Sequence, residues 1–379
     1  MPFNLNMENF MRRALELSEL GAGYVNPNPL VGAVLVKDGM IIAEAYHECF
    51  GEPHAEALAL QRAGAAAGGA DLYVNWEPCI AYPGKRTPAC VDQIISSGIR
   101  RVIVATCDPT PEVNGKGIAY LRKAGIEVIE GVLDNEAKRL NEIRAKFAVT
   151  GKPFVLLKMA MTADGKIATH TGDSQWVSSD ESLELAHRLR VRYAAVLVGI
   201  GTVLHDDPQL TVRKVKGRDP IRIVLDSKGQ IPLSAKILHL KSQAPTIIAT
   251  CCMSSEKKEQ LNRLKTSTPI EIWRLPEDSA GRVDLNVLIN GLGERQIDSL
   301  LVEGGSGIAA AFLQQRLLDR LTFIIAPKLI GGESAPTPIG GQGIASMTEA
   351  IALKEPTVRM LGTDVVYEAA LDYASLEGE

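Results

Sequence analysis

Cysteine is scarce in this chain: six residues in 379, Cys49, Cys79, Cys90, Cys107, Cys251 and Cys252. That density excludes a small disulfide-stapled scaffold and suits a reducing compartment, where thiols are buried, catalytic or metal-binding. Aromatic residues make up 5%, and Lys plus Arg (41) are outnumbered by Asp plus Glu (45), for a formal net charge of −4. Composition therefore argues against a basic, aromatic-lined groove for nucleic acid and against attraction to an anionic membrane. No apolar run reaches the roughly 18 residues of a membrane span, and Met1 to Asn9 lack a basic start followed by an apolar core. The expectation is a cytoplasmic protein with no nucleic-acid and no membrane partner.

The remainder is the composition of an ordinary folded protein, 46% hydrophobic and 23% charged, and long enough for two domains. Residues 8–20 place Phe10, Ala14 and Leu17 on one face at helical spacing. Apolar runs at 30–36 and 41–45 flank Lys37-Asp38-Gly39, a hairpin signal. A helix over 53–66, a strand over 72–76, a helix over 89–97, a strand over 101–106, a helix over 117–124 and a strand over 127–130 follow. Such alternation predicts largely parallel pairing with helices on both faces. A helical stretch over 134–147 runs into Thr150-Gly151-Lys152-Pro153, whose Gly and Pro punctuate the chain, so domains are expected over 1–149 and 150–379. The second part alternates again, with strands at 154–159, 195–198, 221–225, 245–250 and 300–302, and helices over 179–192 and from Ile308. No repeat relates the halves, and the fold class is α/β in both.

One group of residues in the first part has the chemistry of a metal centre. His54-Ala55-Glu56 opens a helix, Pro78-Cys79 follows a strand, and Cys90 precedes the next helix. One imidazole and two thiolates are three ligands for zinc, leaving the fourth tetrahedral position to water, as in a catalytic site. Zinc draws the pKa of such a water towards neutrality, and Glu56, two residues from a ligand, is placed to move protons between that water and a departing amine. Taken alone, His54 reads first as a helix cap and Glu56 as a solvated first-turn acid; the added Pro-Cys and second Cys turn the balance to the metal. In the second part, residues 300–302 lead through Glu303-Gly304-Gly305-Ser306-Gly307 into an apolar helix. Glycines there let backbone N–H groups approach a phosphate at a helix N-terminus, although the same residues also suit a plain tight turn.

These motifs, with Asn26-Pro27-Asn28-Pro29-Leu30-Val31-Gly32, His47, Glu77-Pro78-Cys79 and Thr87-Pro88-Ala89-Cys90, resemble the bifunctional riboflavin-biosynthesis deaminase/reductase family over about residues 10–373. Lys158-Met159-Ala160-Met161-Thr162-Ala163-Asp164-Gly165-Lys166, Gly172-Asp173-Ser174-Gln175-Trp176, His187-Arg188-Leu189-Arg190, the run from Gly201 to Arg213, and Leu225-Asp226-Ser227 extend the resemblance through the second part. It implies a cytidine-deaminase-like domain followed by a dihydrofolate-reductase-like domain. In the first, zinc would be held by His54, Cys79 and Cys90, with Glu56 catalytic, and a small phosphorylated pyrimidine would be bound by Asn28, His47, Lys85 and Asp108. In the second, NADPH would be contacted by Ala160, Trp176, Thr202, Asp206, Ser227, Gly305, Ser306 and Gly307. Substrate would be contacted there by Lys158, Ser174, Arg190, Leu210, Arg213 and Glu303.

The implied reactions are hydrolytic deamination of the pyrimidine and then NADPH-dependent reduction of its ribosyl side chain to ribityl. Arg190 and Arg213 would supply bidentate donors to the substrate's phosphate, while Lys158 and Glu303 would polarise the sugar or stand as a structural ion pair. The resemblance also implies a homo-oligomer. Two departures from the family are visible: residues 80–89 make the loop between the cysteines two residues longer than usual, and Thr110 stands where the family has Asn. Alternatives that remain at this stage are a divergent member acting mainly as a reductase or on a related pyrimidine, a nucleic-acid base deaminase with a binding domain, and a metal-stabilised scaffold.

Overall fold

A two-residue turn sets the direction of the first sheet. Asp38 and Gly39 both have positive φ, 51° and 77°, closing a hairpin between β1 (Gly32–Lys37) and β2 (Met40–Tyr46). The chain then crosses through helix Ala55–Ala63 and enters β3 (Asp71–Trp76) on the other side of β1, so β1 is antiparallel to both neighbours. β4 (Arg101–Thr106) and β5 (Glu127–Glu130) continue parallel to β3, giving the order β2-β1-β3-β4-β5. The largely parallel pairing read from the alternation therefore holds for the β3–β5 half, while the hairpin makes the other half antiparallel. A tight turn can join only antiparallel strands.

The computed structural model describes residues 5–81, 88–264 and 266–374, in two units, Met1–Lys152 and Pro153–Glu379. In the first unit both sheet faces are covered. Helix Leu5–Glu19 buries Met11, Ala14 and Leu17 against Val34, Tyr73 and Ile103, with Phe10 partly buried beside the Tyr73 ring. Gly32 is where strand and helix come closest: a Cβ there would lie 2.0 Å from the Ala14 carbonyl oxygen. On the opposite face Ala55, Ala59, Val91, Ile94, Ile118 and Leu121 pack on Leu72, Val74 and Trp76. Three short helices, Ala55–Ala63, Cys90–Ser96 and Lys116–Lys123, thus share one face of the sheet.

The second unit is built on a nine-stranded sheet of β6 (Phe154–Thr162), β7 (Ala195–Gly199), β8 (Ile221–Leu225), β9 (Thr246–Thr250), β10 (Ile270–Arg274), β11 (Ser299–Val302), β12 (Arg320–Ala326), β13 (Ala352–Leu361) and β14 (Asp364–Asp372). Its order is β10-β9-β8-β7-β11-β6-β12-β14-β13, parallel from β10 to β12 and antiparallel in the last two pairings. Burial on both faces makes the central strands near-continuous apolar runs, which is why they are plain in sequence. β13 and β14 are interrupted by charges, Lys354, Glu355 and Arg359 in the first and Asp364, Glu368 and Asp372 in the second, and give no such signal. Arg222, in β8, is fully buried among neutral acceptors: Thr246 Oγ1 (3.0 Å), the Pro220 carbonyl (3.2 Å), Ser242 Oγ (3.3 Å) and the Ala244 carbonyl.

Candidate active sites

In the first unit the three residues expected to hold a metal converge from three element ends. His54 is the N-cap residue of helix Ala55–Ala63, and its side chain makes no capping bond there. Cys79 follows β3, and Cys90 is the first residue of helix Cys90–Ser96. Val91 N–H donates to the Cys79 carbonyl at 3.3 Å, tying the two cysteine segments together. His54 Nδ1 lies 3.5 Å from Cys79 Sγ and 3.3 Å from Cys90 Sγ, and the two sulfurs are 3.4 Å apart. Donors around a tetrahedral zinc, with Zn–S near 2.3 Å and Zn–N near 2.0 Å, sit roughly 3.5–3.8 Å from one another, so this triangle fits the ion. Glu56 is buried beside it at 3% exposure, and its Oε2 has no hydrogen-bond partner among the described residues. Burial is the largest influence on Glu56 and pushes its pKa up; His54 opposes this and Cys79 adds to it. A buried carboxyl with an unfilled oxygen beside a three-ligand centre is equipped to take and return a proton.

The residues expected around the pyrimidine are joined to this centre by short links. His47 is buried, its ring 5.1 Å from that of His54; its Nδ1 donates to the Pro53 carbonyl at 3.2 Å, and Nε2 faces Asn28 Nδ2 at 3.1 Å. The loop bearing Asn28 is held by two buried amides. Asn75 and Asn141 both donate to the Leu30 carbonyl (2.9 and 3.0 Å) and accept from Gly32 N–H and Leu30 N–H. Asp108 is buried, and its Oδ1 accepts from the backbone N–H (2.8 Å) and hydroxyl of Thr110, whose oxygen in turn accepts from Arg144 Nη2 at 3.1 Å. The threonine that departs from the family pattern is thus used as a bridge. Lys85, and most of the lengthened loop, lie outside the described residues.

In the second unit all fourteen residues expected to meet cofactor or substrate line one cleft of about 1760 Å³. Pockets for a single small ligand typically measure ~300–1,000 Å³, so this one has room for two reactants. Ala160, Trp176, Thr202, Asp206, Ser227, Gly305, Ser306 and Gly307 line it, as do Lys158, Ser174, Arg190, Leu210, Arg213 and Glu303. Helix Ser306–Gln314 starts directly after the β11 turn, with Gly305 as its N-cap. A Cβ on Gly305, Gly307 or Gly201 would meet nothing within 4 Å, so these backbones face open space that a phosphate-bearing cofactor fits.

The arginine reading changes in detail. Arg190 does not present its fork to an anion in this structure: Nε and Nη2 donate to Glu303 at 2.8 and 2.9 Å, and Nη1 to the Thr211 carbonyl at 3.2 Å. Lys158 Nζ is 3.6 Å from the same carboxylate. Burial would raise the Glu303 pKa, but Arg190 and then Lys158 outweigh it and hold the carboxyl at about 2. The shared carboxylate compensates both cations, whereas a guanidinium left open in the same place would be an uncompensated, largely desolvated charge. Arg213 is different. It is exposed, with Nη1 bonded to Thr211 Oγ1 (2.7 Å) and Gln209 Oε1 (3.4 Å), and among the described residues Nε and Nη2 are unengaged.

Two histidines given no role from sequence also line this cleft, His187 and His205. His187 sits one turn before Arg190, is 5% exposed, and accepts the Arg213 N–H through Nδ1 at 3.0 Å. Burial, then Arg190 and Arg213, pull its pKa down to about 4, so it is neutral at physiological pH. Spacing from Arg190 on the helix was the available signal.

Known proteins resemble the chain in both units. Residues 5–106 match the cytidine and deoxycytidylate deaminase zinc-binding region, and residues 153–367 match the RibD C-terminal domain. The riboflavin biosynthesis protein RibD of Aquifex aeolicus is 44% identical over 360 residues, 95% of this chain and 97% of that protein; that of Actinobacillus pleuropneumoniae is 42% identical over 365 residues, 96% and 94%. Among solved structures, Acinetobacter baumannii RibD superposes with a TM-score of 0.82 at 34% identity. The Thermotoga maritima diaminohydroxyphosphoribosylaminopyrimidine deaminase/5-amino-6-(5-phosphoribosylamino)uracil reductase does so with 0.82 at 37%. Each covers 97% of this chain and 99% of its own.

Proposed function

The chain belongs to the RibD family of bifunctional riboflavin-biosynthesis enzymes, a zinc-binding cytidine-deaminase-like domain followed by an NADPH-dependent, dihydrofolate-reductase-like domain, and from that premise we propose which of its residues carry each reaction. Residues of the unit Met1–Lys152 deaminate 2,5-diamino-6-(5-phosphoribosylamino)pyrimidin-4(3H)-one, and those of Pro153–Glu379 reduce the ribosyl side chain of the product to ribityl. The observation that carries the first assignment is the 3.3–3.5 Å triangle of His54, Cys79 and Cys90 with the unpartnered Glu56 oxygen beside it.

Zinc at that triangle supplies Lewis-acid activation of the attacking water. Glu56 takes the proton that the water sheds as its oxygen adds to the ring carbon, and delivers it to the amino nitrogen, which leaves as ammonia. Asn28, oriented by His47, and Asp108, whose Oδ2 has no hydrogen bond among the described residues, hold the pyrimidine. NADPH supplies the two-electron reduction at C1′ of the opened sugar. The open backbone at Gly201, Gly305 and Gly307 admits the cofactor's phosphates; Lys158 and Glu303 orient the sugar chain, and Arg213 takes the substrate phosphate with the N–H groups left free.

Glu56→Gln is the test. Deaminase turnover is expected to fall at least ~100-fold, in line with loss of a general acid/base, with zinc content unchanged and reduction of the deaminated intermediate intact. Full ammonia release from that variant would remove Glu56 from the mechanism.

The compartment is the cytoplasm, a reading supported by sparse cysteines that form no disulfide among the described residues and by the use of NADPH; no helix among the described residues is long and apolar enough to cross a membrane. The chain forms a homo-oligomer through its reductase domain, a reading supported by β13, an edge strand exposed along nearly its whole length with Val358 and Met360 68% and 64% accessible. Sedimentation equilibrium at micromolar concentration should give a mass above one chain, and a strictly monomeric mass would end that reading.

A further inference from the structure

Glu77 is a buried carboxylate, 3% exposed, that pairs with no lysine or arginine among the described residues. Its four bonds all go to backbone. Oε2 accepts the N–H of Asp108 (3.1 Å) and Gly115 (2.9 Å), and Oε1 accepts those of Gly117 (2.8 Å) and Ile118 (3.3 Å). Helix Lys116–Lys123 has no cap of its own, because its N-cap residue Gly115 has no side chain to offer. Glu77 reaches across from the end of β3 and satisfies amides that the first turn of the helix leaves open.

The placement of these bonds links two parts of the deaminase site. Glu77 precedes Pro78-Cys79, so the segment that ends in a metal ligand also carries this carboxylate. Asp108 sits at the end of the parallel neighbour β4, on the loop that would hold the pyrimidine. The helix closes the arrangement from a third side: a Cβ on Gly117 would lie 2.2 Å from the Pro78 carbonyl oxygen, so only glycine lets the helix start approach this closely. Thr110 fixes the Asp108 side chain through Oδ1, whereas Glu77 fixes the Asp108 backbone.

We propose that Glu77 is a positioning residue for deamination: by gathering four backbone amides it sets the Asp108 loop at a fixed distance from the Cys79 segment, and so sets where the pyrimidine lies relative to the metal centre. The proposal rests on the reading that Asp108 meets the substrate. The property required is four acceptor positions on one planar end, since among the described residues no cation pairs with the group and all four bonds go to backbone. Glutamine keeps two of them and turns an NH2 group towards two N–H donors, which pushes part of the cluster apart.

The test uses the full-length zinc-loaded protein, with the reductase reaction as an internal control. For Glu77→Gln the deaminase KM, read from ammonia release at varied pyrimidine, should rise roughly tenfold or more, since a displacement of about 1 Å can cost up to ~100-fold. The kcat should fall less, zinc should stay at one per chain, and reduction of the deaminated intermediate should be unchanged. Glu77→Asp, which keeps the charge but not the reach, should show a smaller KM rise, and it decides the matter if the glutamine variant does not fold. Combining Glu77→Gln with Asp108→Asn should raise KM no further than Asp108→Asn alone, whereas a purely structural role would add. An unchanged KM in the Glu77 variants overturns the proposal, as does loss of zinc or of kcat at constant KM, which would place Glu77 with the ligands instead. If Asp108→Asn leaves KM untouched, the reading of Asp108 as a substrate contact falls and the proposal that rests on it falls with it, whereas a raised KM for Asp108→Asn beside an unchanged KM for Glu77→Gln overturns the Glu77 role alone.

Discussion

Glu303→Gln removes the carboxylate that faces both Arg190 and Lys158. The two arginine bonds at 2.8 and 2.9 Å and the lysine at 3.6 Å belong to side chains only 8–14% exposed, so water from the cleft replaces the lost partner only in part. Breaking a buried pair from one side leaves an uncompensated cation, a cost of about 3–5 kcal/mol. For a unit of the size of Pro153–Glu379, at roughly 2–4 °C per kcal/mol, its melting transition should drop by roughly 6–20 °C. Scanning calorimetry should assign that drop to the reductase unit by the loss of NADPH-dependent activity at the same temperature, with ammonia release unaffected below it. The pH dependence has a fixed sign. Because the folded pKa of about 2 lies below the ordinary value near 4.5, the contribution is complete above the ordinary value and is lost as pH falls through the folded one. The gap between wild type and Glu303→Gln should therefore be constant from neutral pH to about 5 and shrink towards pH 2. A shift below ~2 °C at neutral pH would refute the reasoning, because it would mean that desolvation cancels the pairing.

Other perturbations separate the two halves of the protein. Gly305→Val fills open space at the start of helix Ser306–Gln314, so the KM for NADPH should rise at least ~10-fold with deamination untouched; an unchanged KM would remove the cradle from the cofactor site. Arg222→Met strips hydrogen bonds from Thr246, Pro220, Ser242 and Ala244 in the buried core, and urea unfolding should report a loss of about 3 kcal/mol. A neutral result there would mean that burying the guanidinium, whose pKa burial lowers to about 10, costs as much as its bonds return.

Legibility followed the kind of partner each residue has. His54, Cys79 and Cys90 were readable because each sits at an element end marked by a nearby proline, and their chemistry is in the side chain itself. The central strands were readable because burial on both faces leaves apolar runs. Sheet direction was readable only where a turn declared it: Asp38-Gly39 implied one antiparallel pair, but that β3 would enter on the far side of β1 depends on a helical crossover and not on any residue. Arg190 illustrates the opposite limit. Its partner Glu303 lies 113 residues away, and a guanidinium bound to a carboxylate reads in sequence like one waiting for a phosphate. The distinction matters for mechanism, because an arginine already committed at Nε, Nη1 and Nη2 organises a site, while Arg213, whose Nε and Nη2 are unengaged among the described residues, can bind an anion. Glu77 was least legible of all. Its partners are the amides of residues 108, 115, 117 and 118, which have no side-chain signature, so a carboxylate printed beside a metal-ligating cysteine looked like part of a motif when its work is to hold backbone that closes a site.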